Sequence, residues 1–78
     1  MSVDERAKKI IAEIFKVDPG VLLPETCYVK DLRAKSANII ELIAALEDEF
    51  GITIPLVESR RNLTVGDTIA YLNRRLQA

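Results

Sequence analysis

Apolar residues recur at three- and four-residue intervals in three stretches of this chain, the interval that stacks side chains on one face of an α-helix. In the first stretch Val3, Ala7, Ile10, Ile11 and Ile14 repeat to about Phe15, and Ser2-Val3-Asp4-Glu5 has the Ser-x-x-Glu form of a capping box. In the second, Ile39, Ile43, Leu46 and Phe50 predict a helix from about Ala37 to Phe50. Ser36 then falls at the N-cap, Gly51 suits the left-handed residue past the helix end, and Pro55 prevents continuation. In the third, Thr64 with Asp67 gives another capped start, Ile69, Leu72 and Leu76 form the apolar face, and Arg74 and Arg75 suit a helix C-terminus. Val57 to Arg61 fits one short turn. Between Lys16 and Lys35, Pro19-Gly20 and Pro24 interrupt any regular element. Yet Val17, Val21, Leu22, Tyr28, Val29 and Leu32 are too apolar for a loose linker, so this connection is expected to pack against the helices. A connection that long in a small domain points to function. The pattern predicts an all-α, four-helix bundle, three main helices and one short one, occupying residues 1–78 as one domain.

Composition narrows what such a bundle does. With 78 residues, a net charge of -1 and 49% apolar residues, the chain is neither a disordered tail nor a basic nucleic-acid binder. Its apolar runs are too short to span a bilayer, and Asp4, Glu5 and Arg6 leave no apolar signal core near the N-terminus, so a cytoplasmic monomer is expected. The single cysteine, Cys27, has no internal disulfide partner and is expected to be a partly buried small residue. No histidine is present, which removes the commonest general base and any Ser-His or Cys-His pair. Gly20, Gly51 and Gly66 are isolated from one another, forming no phosphate-binding loop, and no acidic or cysteine cluster has metal-ligand spacing. These absences argue against an enzyme.

One segment carries candidate chemistry: Asp31-Leu32-Arg33-Ala34-Lys35-Ser36-Ala37-Asn38-Ile39-Ile40-Glu41-Leu42. By its residues alone, Ser36 is explained as a helix cap, a role worth about 1 kcal/mol. The segment also resembles the Asp-Leu-Gly-x-Asp-Ser-Leu attachment motif of the acyl carrier proteins. The resemblance covers nearly the whole chain. Glu5 to Glu13 is similar to that family's first helix, Glu41 to Pro55 to its second helix and exit, and Leu63 to Leu72 to its last helix. It implies that Ser36 carries a covalent 4'-phosphopantetheine arm whose thiol holds acyl groups as thioesters. It implies as partners a phosphopantetheinyl transferase and the acyl-loading, synthase or acyltransferase enzymes of fatty-acid, lipid or related biosynthesis. A carrier of aminoacyl or polyketide thioesters, an interaction module that kept the fold and lost the arm, and a small helical adaptor in which Ser36 only caps a helix are the alternatives.

The departures from that motif also carry information. Arg33, Lys35 and Ala37 stand where the family has glycine, an acid and leucine. The family's acid helps hold the magnesium at which the transferase works, whereas lysine has no acceptor for a cation. Counting about 100° per residue from Ile39, Glu41 and Asp48 lie opposite the apolar stripe, with Ile40 and Glu47 on its flank beside Ser36. The resemblance implies that this acidic and apolar face docks basic patches on partner enzymes, with Ile54 at another of its positions. Arg60 and Arg61 stand where the family's third helix is commonly acidic, and are expected to tune partner choice through like-charge repulsion. Ala37 and Ala44 are smaller than the family's usual residues, and Asn38 lacks the expected charge.

Overall fold

Reciprocal caps at both ends of the sequence fix where the outer helices begin. In the computed structural model, which describes residues 1–77, the Glu5 N–H donates to Ser2 Oγ at 3.1 Å and the Ser2 N–H donates to Glu5 Oε1 at 3.3 Å. This capping box opens α1, Val3–Phe15. At the other end the Asp67 N–H donates to Thr64 Oγ1 at 3.0 Å, and Asp67 Oδ2 accepts from the N–H groups of Leu63 and Thr64 at 3.0 and 3.1 Å. The remaining helices are α2 (Ser36–Phe50), α3 (Leu56–Ser59) and α4 (Val65–Gln77). The all-α bundle read from the periodicity is therefore the fold, with four helices among the described residues.

The first helix packs on both α2 and α4, and Ala7, Ile11 and Ala12 are its buried residues. Leu42 and Leu46 are buried from α2, and Val65, Thr68, Tyr71 and Leu72 from α4. Two expectations about these faces need correction. Leu42, with Leu46, is the buried part of the α2 stripe, and Ile39 and Ile43 flank it partly buried. Leu76 is 39% exposed, one turn past the last fully buried position, Leu72. Where α2 ends, Gly51 adopts φ 64°. The Arg6 guanidinium closes that end: its Nε lies 2.8 Å from Glu49 Oε2, its Nη2 donates to the Glu49 carbonyl at 3.0 Å, and it covers the Phe50 ring at 4.5 Å. A cation at the last carbonyls complements the helix dipole.

The long connection does pack on the bundle, through Leu22 and Tyr28, which are buried. Val21 and Val29 do not follow them; both are exposed. Pro19–Val21 forms a 3₁₀ turn where no regular element was expected, because Asp18 Oδ1 accepts from the Gly20 N–H at 2.7 Å and proline presets the first residue. Further on, the connection runs against the start of α4. The Tyr28 N–H donates to the Leu63 carbonyl at 3.2 Å, the Val65 N–H to that of Thr26 at 3.0 Å and the Gly66 N–H to that of Pro24 at 2.8 Å, around an antiparallel bridge from Cys27 to Thr64. Gly66 must be small there, since a Cβ would stand 2.8 Å from the Pro24 carbonyl oxygen. Cys27 is partly buried, as expected.

Candidate functional site

The stretch before Ser36 is shaped by its own short hydrogen bonds. Asp31 Oδ2 accepts from the Cys27 N–H at 2.8 Å, and the N–H groups of Asp31 and Leu32 donate to the Cys27 carbonyl at 3.0 and 3.1 Å. Asp31 thus closes a turn on its own backbone, which accounts for the acid at that position. The chain then reverses at Arg33, with φ 55°, and the Ala34 N–H donates to the Tyr28 carbonyl at 2.9 Å. A left-handed φ is costly for any residue with a Cβ, so arginine sits under strain where the attachment motif has glycine.

Ser36 is not the N-cap. Lys35 occupies that position with extended backbone, and its side chain cannot accept a hydrogen bond. Asn38 supplies the cap contact in the reverse direction, its Oδ1 accepting from the Lys35 N–H at 2.9 Å. That bond draws Lys35 to the cap and moves Ser36 into the first helical position. The correction changes the chemistry available to the serine. Its hydroxyl is exposed and enters no hydrogen bond among the described residues, so it is not committed to holding the helix. The first turn of α2 has no acid, and Arg33 and Lys35 are exposed beside it. A phosphate esterified to Ser36 Oγ fits these surroundings, since helix N-termini and basic side chains both favour negative charge.

Along α2 the structure separates the residues expected to dock a partner. Ile40 is 62% exposed, and Glu41 and Asp48 are exposed as well. Glu47 is half-buried, and its Oε2 accepts from the Ile54 N–H at 2.7 Å. That charge-assisted bond fastens the segment after α2 to the helix, a structural duty the sequence did not reveal. Ile54 is only 7% exposed and packs in the core, so it offers little open apolar area of its own. Leu56 and Val57, which the sequence reading did not single out, supply the exposed apolar surface instead. Leu56 shares a shallow groove with Ile40, Ile43, Ala44, Glu47 and Ile54. Arg60 and Arg61 follow α3 directly and are exposed.

Behind that face, α2, α3 and α4 enclose a cavity of about 40 Å³. This is room for about one water molecule. Next to it, the Tyr71 hydroxyl donates to Glu58 Oε1 at 2.5 Å and accepts from Arg75 Nη1 at 2.6 Å, tying α3 to α4. Burial and the Glu58 carboxylate push the Tyr71 phenol above its ordinary value, against the opposing pull of Arg75. Tyr28 donates to Thr68 Oγ1 at 2.6 Å, and burial raises its pKa to about 12. Among the described residues no cluster of three or more His, Cys, Asp or Glu could hold a metal, and no helix is long and apolar enough to cross a membrane.

Among the described residues the exposed serine hydroxyl at the start of α2 is left free of hydrogen bonds, and the fold is a small helical bundle. Comparison with known proteins gives the class. Residues 5–72 match the family model described as a phosphopantetheine attachment site. The chain is 40% identical over 74 residues to an acyl carrier protein of Thermosynechococcus vestitus, covering 95% of this chain and 91% of the relative. It is also 40% identical over 72 residues to the acyl carrier proteins of two strains of Helicobacter pylori, covering 92% of each chain. The chain belongs to the acyl carrier protein family. It is a non-catalytic carrier whose cofactor is covalently attached 4'-phosphopantetheine.

Proposed function

We propose that Ser36 receives the 4'-phosphopantetheine and that the loaded domain presents acyl thioesters to enzymes of fatty-acid, lipid or related biosynthesis. The observation that carries this reading is the serine itself, exposed at the first position of α2 with its hydroxyl unengaged. Two features of the chain support it. The positive end of the α2 dipole faces the position a phosphodiester would take, and Lys35 and Arg33 add charge of the same sign. The arm, when attached, supplies a flexible thiol that forms the thioester. The protein's own part is to hold that arm beside a docking face.

On that face Ile40 offers apolar area, Glu41 and Asp48 offer charge, and Leu56 and Val57 extend the apolar surface toward α3. Interfaces of this kind gain specificity and encounter rate from charge, and affinity from a few buried apolar anchors. Arg60 and Arg61 bring opposite charge to the same end, which favours partners whose docking patch is not uniformly basic. Action as a monomer in the cytoplasm completes the proposal. Intact mass of the protein isolated from its own cell tests it. A gain of one phosphopantetheine, with an acyl group on part of the population, is expected; a bare polypeptide would instead support the unmodified interaction module that Lys35 and Ala37 would suit.

A further inference from the structure

The arginines in the last turn of α4 do not stand alone. Arg74 and Arg75 share with Arg61, just past α3, an outward-opening cleft of about 340 Å³ that is otherwise lined by Glu58, Asn62 and Tyr71. Three cations thus meet one carboxylate. Glu58 answers only Arg75, and loosely, its Oε1 lying 3.8 Å from Arg75 Nη1. Arg75 also donates to the Tyr71 hydroxyl at 2.6 Å and sits 5.6 Å from the centre of that ring, contacts that hold it in place but leave most of a guanidinium's N–H groups unspent. Arg61 and Arg74 have no side-chain hydrogen bond or ion pair among the described residues. The half-buried Asn62 adds a carboxamide that likewise has no partner among them. Complementing the α4 dipole accounts for Arg74 and Arg75, but not for Arg61, which belongs to a different element.

We propose that this cleft binds a compact phosphate-bearing anion, a soluble phosphate monoester or diphosphate, through Arg61, Arg74 and Arg75. Two features select that class. None of the lining residues is aliphatic, and Tyr71 is only 7% exposed, so the cleft lacks the apolar anchor from which a protein partner draws its affinity. A planar carboxylate accepts a guanidinium fork along one edge, whereas the oxygens of a phosphate point several ways and accept from α4 and from the segment after α3 together. The site is also remote from the arm. Asn73 Nδ2 lies 3.5 Å from Asp4 Oδ1, and Arg6 pairs with Glu49, so this end of α4 lies with the start of α1 and the end of α2. Ser36 opens that 15-residue helix, about 20 Å away along its axis. A phosphodiester fixed at Ser36 is therefore not the anion, and the cleft fills whether or not the arm is loaded. An occupant that joins Arg61 to Arg74 and Arg75 adds a tie between α3 and α4 beside the one from Glu58 to Tyr71.

The test uses the full chain as isolated from its own cell, whatever Ser36 carries, titrated with sodium pyrophosphate and followed by calorimetry and by melting. One saturable site is expected, with the melting temperature rising as it fills. The double variant Arg61→Gln, Arg74→Gln should bind about tenfold more weakly, because hydrogen bonds to a charged ligand are lost. Removing the same charge from α1 by Lys8→Gln and Lys9→Gln, which do not line the cleft, should change the affinity by less than about twofold near 0.1 M salt. Glu58→Gln takes away the one carboxylate in the cleft, keeps an acceptor for Tyr71, and should tighten binding about threefold. A gain of that kind cannot come from a damaged fold. Pyrophosphate that does not saturate, equal affinity in parent and double variant, an equal loss in the α1 variant, or no gain in Glu58→Gln overturns the proposal. Binding to vesicles of phosphatidylcholine and phosphatidic acid without binding to pyrophosphate would assign these cations to a lipid surface and overturn it as well.

Discussion

Replacing Thr68 by valine is expected to cost more than replacing Tyr28 by phenylalanine, although both changes break the same buried hydrogen bond. The two hydroxyls meet at 2.6 Å, Tyr28 from the long connection and Thr68 from α4, with both residues under 5% exposed. In Tyr28→Phe the phenol leaves altogether, and Thr68 Oγ1 keeps its contact with the Thr64 carbonyl at 3.4 Å. The loss is that of one hydrogen bond, about 1 kcal/mol. In Thr68→Val the phenol stays buried with no acceptor, which costs about 1–3 kcal/mol. Alkaline pH provides an independent check. The phenol ionises near pH 10 in the unfolded chain but near 12 when folded, so between those values the unfolded state binds fewer protons and stability falls as pH rises. The full loss is roughly 2–3 kcal/mol by pH 12. Tyr28→Phe escapes it, so its deficit against the parent should disappear and reverse above about pH 11. Urea melts of parent and both variants from pH 8 to about pH 12 measure all of this. Equal costs for the two variants, or a constant gap between parent and Tyr28→Phe across that range, would refute the buried pair as described.

Glu47→Ala should lower stability by about 1–2 kcal/mol by removing the acceptor of the Ile54 N–H, whereas Asp48→Lys should leave the melting transition unchanged and weaken partner docking; equal thermal shifts would contradict the division between them. Lys16 and Arg33 hold left-handed backbone at φ 57° and 55°, so glycine at either position should stabilise the fold by about 0.5–1 kcal/mol in chemical denaturation, and a loss would show that the side chains earn their place there. Reversing Arg60 and Arg61 to glutamate should tighten binding to ketosynthases with basic docking patches at low salt, with the gain fading near 0.1 M as charges beyond roughly 10 Å are screened; binding constants that match the parent at every salt concentration would make these arginines a solvated surface only.

What could be read from the sequence was what is local in it. The boxes Ser2 to Glu5 and Thr64 to Asp67 join residues three apart, and both form as expected. The serine's setting was harder, because the helix begins one residue earlier with Lys35 at the cap, held through its N–H to Asn38, whereas residue type favours serine there. Periodicity found the apolar stripe of α2 but not its centre, since which arc is buried deepest depends on where the other helices lie. Glu47 was placed on the docking face by counting around the helix and Ile54 by the family resemblance, yet a bond joins them across seven residues, and Ile54 is buried and Glu47 half-buried. The tie between Tyr28 and Thr68 spans 40 residues, and the bridging of α3 to α4 by Tyr71 depends on a fold already made. Such contacts leave no periodic trace.

The central claim is that Ser36 is the attachment point, and its most direct test is intact mass before and after incubation with a phosphopantetheinyl transferase, for the parent and for Ser36→Ala. Because the hydroxyl holds no hydrogen bond among the described residues and alanine favours a helix, the variant should melt within about 0.5 kcal/mol of the parent. The account predicts that the parent gains one phosphopantetheine and the equally folded variant gains none. A variant that still acquires the arm would contradict it.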